Sequence, residues 1–196
     1  MIVLAGGIGS GKSVVARLLR LKGFGVFDCD FEAKLLMHSD PRIIEGIRKI
    51  AGEEVYSDSG TLDRGRLASV IFGDKDKRDK VNALVHEAVR NIIGEWLKEN
   101  RANVFVETAI AAESGIADKA DAIWLVDADE ETRIGRVISR DGRSVDDIRR
   151  IMDAQRAEEE LLFSSHRNIV KISNNPSDSL LAQINLLLNS SPSLSI

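Results

Sequence analysis

The run IVLA, Ile2 to Ala5, leads into GGIGSGKS, residues 6–13, and then into a helical pattern from Ser13 to Leu21. A short apolar run with β-branched residues has the character of a buried strand. Gly6, Gly11, Lys12 and Ser13 satisfy GxxxxGKS between that strand and that helix, the context in which glycines let backbone amides turn toward an anion. The chain must therefore place a parallel-sheet strand, a tight anion-binding turn and a helix N-terminus in immediate succession. On this reading Gly7, Ile8, Gly9, Ser10, Gly11, Lys12, Ser13 and Val14 surround the phosphates of a nucleoside triphosphate. Lys12 neutralises β- and γ-phosphate oxygens, and the Ser13 hydroxyl ligates Mg²⁺.

Four later runs have the same strand character: Gly25 to Phe27, Val104 to Val106, Ile123 to Val126 and Ile169 to Ile172. Helical patterns lie between them, at Phe31 to His38, Asp79 to Lys98, Glu130 to Arg140 and Val145 to Phe163. Alternating strands and helices predict a three-layer α/β/α fold on a five-stranded parallel sheet. The stretch between the second and third strands is far longer than one helical crossover needs, so residues 31–100 are expected to form an inserted helical subdomain. Its last helix carries Val81, Leu84, Val85, Ala88, Ile92, Trp96 and Leu97 at helical spacing, with Asn82, His86 and Arg90 as a stripe beside that face. The link SRDGRS, residues 139–144, separates two helices, and residues 139–150 are expected to act as a short lid.

Composition narrows the function classes. With 43% hydrophobic and 30% charged residues the chain is globular, and a net charge of −4 argues against nucleic-acid or anionic-membrane partners. No apolar run approaches the ~18 residues of a membrane span and no basic segment precedes the first apolar run, so a cytoplasmic protein is expected. The single cysteine, Cys29, permits no internal disulfide and has no Cys or His neighbours at zinc-ligand spacing. The Ser-rich end, SSPSLSI, is read as frayed.

A triphosphate-gripping loop serves kinases, GTPase switches, motor or transporter ATPases and plain binding modules. The guanine-reading NKxD element is missing, since ISNNPSD at 172–178 lacks the lysine, and there is no LSGGQ-like signature. What remains is an acidic segment, Asp28-Cys29-Asp30, at the end of the second strand, on the side where the loop opens. If that segment stays extended, i, i+2 spacing points both carboxylates the same way; Asp30 is then the general base that takes the acceptor hydroxyl's proton, supported by Asp28. A second reading, compatible with the first, makes Asp30 the N-cap of a helix starting at Phe31. Transferring a phosphoryl group also needs positive charge around it. Arg133, Arg136 and Arg140 follow one another at i, i+3, i+7, with Arg143 in the link beyond; Arg136 and Arg140 are assigned to the phosphoryl group, against the alternative of a solvated face paired with Glu130 and Asp146. Glu107, at the end of the third strand, either holds a Mg²⁺-bound water or plays a capping or surface role.

Together these stretches resemble the dephospho-coenzyme A kinase family. GGIGSGKS and DCD are joined by TLDRGRLASVIF (61–72), similar to that family's Leu-Asp-Arg segment, by RDKVNALVHEAV (78–89), similar to its Asn and His helix, and by RVISRDGRS (136–144) and DAQ (153–155), similar to its lid and following helix. The resemblance implies a P-loop kinase fold and ATP-dependent phosphorylation of the 3'-hydroxyl of dephospho-CoA, with Mg²⁺ as cofactor. It implies Asp30, Lys12 and Arg140 as catalytic residues, Arg136 and Arg140 beside ATP, and Asp28, Asp30, Arg64 and His86 beside dephospho-CoA in a 31–100 subdomain. A monomer or weak homo-oligomer is expected. The sequence departs from the family at Val14 (often Thr), at TAIAAE (108–113) in place of Pro-Leu-Leu, at Glu87 (often Pro), at Arg133 (often Gln) and in SSHRNIVKISNN. A nucleoside-monophosphate kinase and a non-enzymatic nucleotide-binding regulator remain as alternatives.

Overall fold

The computed structural model describes residues 1–100 and 104–190; the Ser-rich end from residue 191 lies outside them. Strands β1 (Ile2–Ala5), β2 (Gly25–Asp28), β3 (Val104–Glu107), β4 (Ala122–Asp127) and β5 (Ile169–Ser173) form one parallel sheet in the order β2-β3-β1-β4-β5. All four residues of β1 and of β3 are buried, as central strands covered on both faces require. Phe105 of β3 sits between Phe24 and Trp124, with ring centroids 5.6 and 5.0 Å away in edge-to-face geometry. Val15, Ala16 and Leu19 of α1 (Lys12–Leu21) close this core together with Ile184 of α8 (Leu180–Ser190).

The chain divides into two compact units. One is built from Met1–Asp28 and the chain from Leu97 onward, and holds the sheet, the glycine loop, α6 (Glu130–Asp141) and α7 (Val145–Ser165). The other, Cys29–Trp96, is helical: α2 (Cys29–Ser39), α3 (Pro41–Ala51), α4 (Arg64–Phe72) and most of α5 (Lys75–Glu99). Within it Asp40 caps α3, accepting from the Arg42 and Ile43 amides with Pro41 in the first turn, and Asp63 caps α4 by accepting from the Arg66 amide. Ile43, Ile47 and Ala51 give α3 its buried face, and the Tyr56 hydroxyl donates to the Met37 carbonyl at 2.8 Å.

One local expectation changes. The acidic segment does not stay extended: β2 ends at Asp28 and α2 begins at Cys29, which puts Asp30 in the first helical turn. The i, i+2 argument for a shared carboxylate face therefore lapses, and so does N-capping of a helix from Phe31. A first-turn carboxylate is instead stabilised by the positive end of the helix. Residues 139–150, read as a lid, run from the end of one helix into the start of the next. Ser139, Arg140 and Asp141 complete α6, Gly142 ends it in the left-handed conformation (φ 66°), and Ser144 caps α7 by accepting from the Asp147 amide, leaving a link of only residues 142–144.

Candidate active site

β1 delivers the loop to the carboxyl edge of the sheet at the point where strand order turns from β3 and β2 on one side to β4 and β5 on the other, the usual location of ligands in open α/β sheets. Leu4 of β1 is level with Glu107 of β3, and Glu107 with Asp28 of β2, so both carboxylates lie on that edge beside the loop's root. Gly11 takes φ 90° and hands the chain to α1. The Val14 amide closes the first turn on the Gly11 carbonyl at 2.9 Å, and the positive N-terminal end of α1 favours an anion.

Lys12 is held by Glu107, Nζ to Oε1 at 3.1 Å, and Arg20 Nη2 is 3.9 Å from the other carboxylate oxygen. With Glu107 almost fully buried, this ion pair is the charge balance of the loop's base. The sequence leaves Glu107 open between a metal-bound water and a capping or surface role; its place against Lys12 becomes visible only once β3 is paired beside β1.

Ile8 is gripped on both sides. Its amide donates to Gln155 Oε1 at 2.8 Å, and its carbonyl accepts from Arg133 Nε at 2.9 Å. Its side chain packs on Ile134, Val137, Ile148 and Met152 of α6 and α7. Arg133 Nη1 is 3.7 Å from Asp127 at the end of β4. Arg136 lies one turn further along α6: Nη1 donates to the carbonyls of Gly9 and Ser10 at 3.3 and 3.4 Å, and Nη2 to the Asn174 carbonyl at 2.7 Å. The Asn174 side-chain amide returns to the Ser10 carbonyl at 2.8 Å, so the segment after β5 is tied to the loop. Arg140 has a different partner. Its Nε and Nη2 clasp Asp141 at 2.7 and 2.8 Å, a pairing that raises the arginine's pKa and lowers the carboxyl's.

Gly9 is one position where only glycine fits. It adopts φ 76°, and a Cβ there would fall 2.6 Å from the Arg133 carbonyl oxygen. Gly9→Ala is expected to cost about 1–2 kcal/mol from the left-handed conformation alone, more with the clash, and to weaken ATP binding. Calorimetric titration of ATP against the variant checks this.

A cavity of about 210 Å³ flanks the loop, with Gly6, Gly7, Asp127, Arg133, Gln155 and Glu158 among its walls. Glu158 accepts from the Ala112 and Glu113 amides at 2.6 and 2.9 Å, and burial pushes its carboxyl above the usual 4.5. A carboxyl raised on folding binds more protons in the folded state, so its contribution is complete below 4.5 and is lost as pH rises through the folded value. The melting temperature of the parent relative to Glu158→Gln should therefore fall as pH rises over that window; parallel curves for the two proteins would contradict the assignment.

Asp30, Arg64 and His86 belong to the helical unit, in the first turn of α2, at the start of α4 and within α5. Sequence reasoning passed over Asp127, Gln155 and Glu158 as functional residues. DAQ was noted as a motif, but which face of α7 meets the loop is a property of tertiary packing.

Sheet order, loop geometry and lysine define a P-loop kinase fold. The dephospho-CoA kinase family model matches residues 1–177, and the chain belongs to that family. A Porphyromonas gingivalis dephospho-CoA kinase is 37% identical over 161 residues, covering 82% of this chain and 79% of the relative. One from Geobacter sulfurreducens is 36% identical over 179 residues, covering 89% of each. Among solved structures, a Thermus thermophilus protein shares 32% identity and a TM-score of 0.80, covering 97% of both chains. The Campylobacter jejuni dephospho-CoA kinase (TM-score 0.67, 21% identity, 95% of this chain and 94% of that one) shares the fold.

Proposed function

We infer that the chain transfers the γ-phosphoryl group of ATP to the 3'-hydroxyl of dephospho-CoA, giving CoA and ADP, the closing step of coenzyme A biosynthesis. The observation that carries this is the family match over residues 1–177, running through the loop and both compact units. ATP takes the loop from Gly7 to Val14, where its phosphates compete with Glu107 for the Lys12 ammonium. Arg136, already on the carbonyl side of the loop, borders the nucleotide. Arg140 exchanges Asp141 for the phosphoryl oxygens. Asp30 orients the 3'-hydroxyl and takes its proton, Asp28 is a further acceptor contact, and Arg64 and His86 hold the rest of dephospho-CoA.

Mg²⁺ suits the donors present. It is typically bound by one or two protein oxygens together with substrate phosphates and waters, and the Ser13 hydroxyl and Glu107 carboxylate are hard oxygen donors of that kind. When bound, the ion draws charge from the β- and γ-phosphate oxygens. Ser13 would hold it directly and Glu107 through water. The protein is read as a cytoplasmic monomer or weak homo-oligomer; among the described residues no helix is long and apolar enough to cross a membrane.

Product identity tests the assignment. Incubation with ATP, Mg²⁺ and dephospho-CoA should yield one product, phosphorylated on the ribose 3'-oxygen by phosphorus–proton coupling in NMR. Phosphorylation of nucleoside monophosphates but not of dephospho-CoA would replace the acceptor and keep the enzyme class.

A further inference from the structure

We propose that Arg133 is a positioning residue that presets the glycine loop for nucleotide, acting through Ile8 and without touching phosphate. The inference rests on the reading of the loop as the ATP site. Four contacts converge on it. Nε of Arg133 donates to the Ile8 carbonyl at 2.9 Å, and the same guanidinium is anchored 3.7 Å from Asp127. Asp127 is itself fixed, because its Oδ1 accepts from the Ala128 amide at 2.8 Å and its carbonyl from the Asn174 amide at 2.8 Å. The main chain of Arg133 lies against Gly9, where a Cβ would fall 2.6 Å from its carbonyl oxygen, and the guanidinium lies against Gly7. α6 thus moulds residues 7–9 with one residue: side chain on Gly7 and Ile8, backbone on Gly9.

Direction separates positioning from phosphate contact. Arg133 binds a carbonyl, and a peptide's N–H points opposite to its C=O, so the guanidinium stands on the side away from the amide of the Ile8–Gly9 peptide. The Ile8 amide is meanwhile consumed by Gln155, and its half-buried side chain packs against α6 and α7. Ile8 is therefore a fixed post at the start of the turn that leads into α1. Without the post, nucleotide binding must also order the loop.

The test is equilibrium ATP binding without acceptor, followed by steady-state kinetics with dephospho-CoA. Arg133→Ala is expected to raise the ATP Kd about 5- to 30-fold, the freedom of a single backbone residue, since each factor of ten is 1.4 kcal/mol. The KM for dephospho-CoA and kcat at saturating ATP should stay within about twofold, the signature of lost uniform binding. Arg133→Gln keeps one planar donor for the Ile8 carbonyl but no charge for Asp127, and should fall between. Gln155→Leu should reproduce the ATP-only effect, and the double variant should be less than additive, because both residues act on Ile8. An unchanged ATP Kd in Arg133→Ala, a fall in kcat at saturating ATP, or an equal rise in the dephospho-CoA KM would overturn the proposal. If Arg133→Ala does not fold, Arg133→Gln and Gln155→Leu decide by the same criteria. Failure of the function assignment reads differently: ATP would bind as expected, with no turnover of dephospho-CoA by the parent protein.

Discussion

Replacing Lys12 with methionine is expected to lower kcat/KM for ATP at least ~10²-fold, the scale seen when one preorganised group is removed from developing negative charge. It should also destabilise the fold. Lys12 and Glu107 have side chains only 11% and 5% exposed, so the variant leaves a carboxylate buried without its main counter-ion. Breaking a buried pair from one side typically costs ~3–5 kcal/mol. Arg20, 3.9 Å from Glu107, offsets part of that, placing the expected loss toward the lower figure. The double variant Lys12→Met/Glu107→Gln should recover most of the stability and none of the activity. Denaturant melts and initial rates of these two variants and of Glu107→Gln alone give the cycle; full stability in the lysine single variant would deny the pair its structural role.

Asp30→Asn should lower kcat by ~10²–10⁴, the contribution of a positioned general base, while the ATP Kd stays near that of the parent. The expected stability change is small, because the carboxylate's interaction with the first turn of α2 is worth only ~0.3–1 kcal/mol. Loss of rate without loss of fold or of nucleotide binding is thus the predicted pattern. Near-normal turnover would remove Asp30 from the proton path and leave the acceptor hydroxyl without an assigned base.

How far the sequence could be read depended on whether a feature was local. IVLA-GGIGSGKS specifies strand, turn and helix within residues 2–21, and β1 begins and ends as expected. The starts of α3 and α4 are also written locally, in Asp40-Pro41 and in Asp63. DCD was ambiguous in principle. Both aspartates are good helix caps, and the end of β2 is set by its pairing with β3 up to Asp28 and Glu107, a contact between distant segments. The arginines of α6 show the same division. A period of i, i+3, i+7 gives Arg133, Arg136 and Arg140 one face, yet Arg140 is about 10 Å further along the axis than Arg133, so only the first two meet the loop while Arg140 pairs with Asp141. That Glu107 faces Lys12 and Gln155 faces Ile8 required the sheet order and the packing of α7, which no spacing encodes.

On this reading a donor site on the glycine loop serves a specific alcohol acceptor. Its most direct test is ADP release by the full chain with ATP and Mg²⁺, measured with and without dephospho-CoA. ADP release should be slow with ATP alone and strongly stimulated by dephospho-CoA, with one CoA formed per ADP. Tight ATP binding with ADP release indifferent to dephospho-CoA would contradict it.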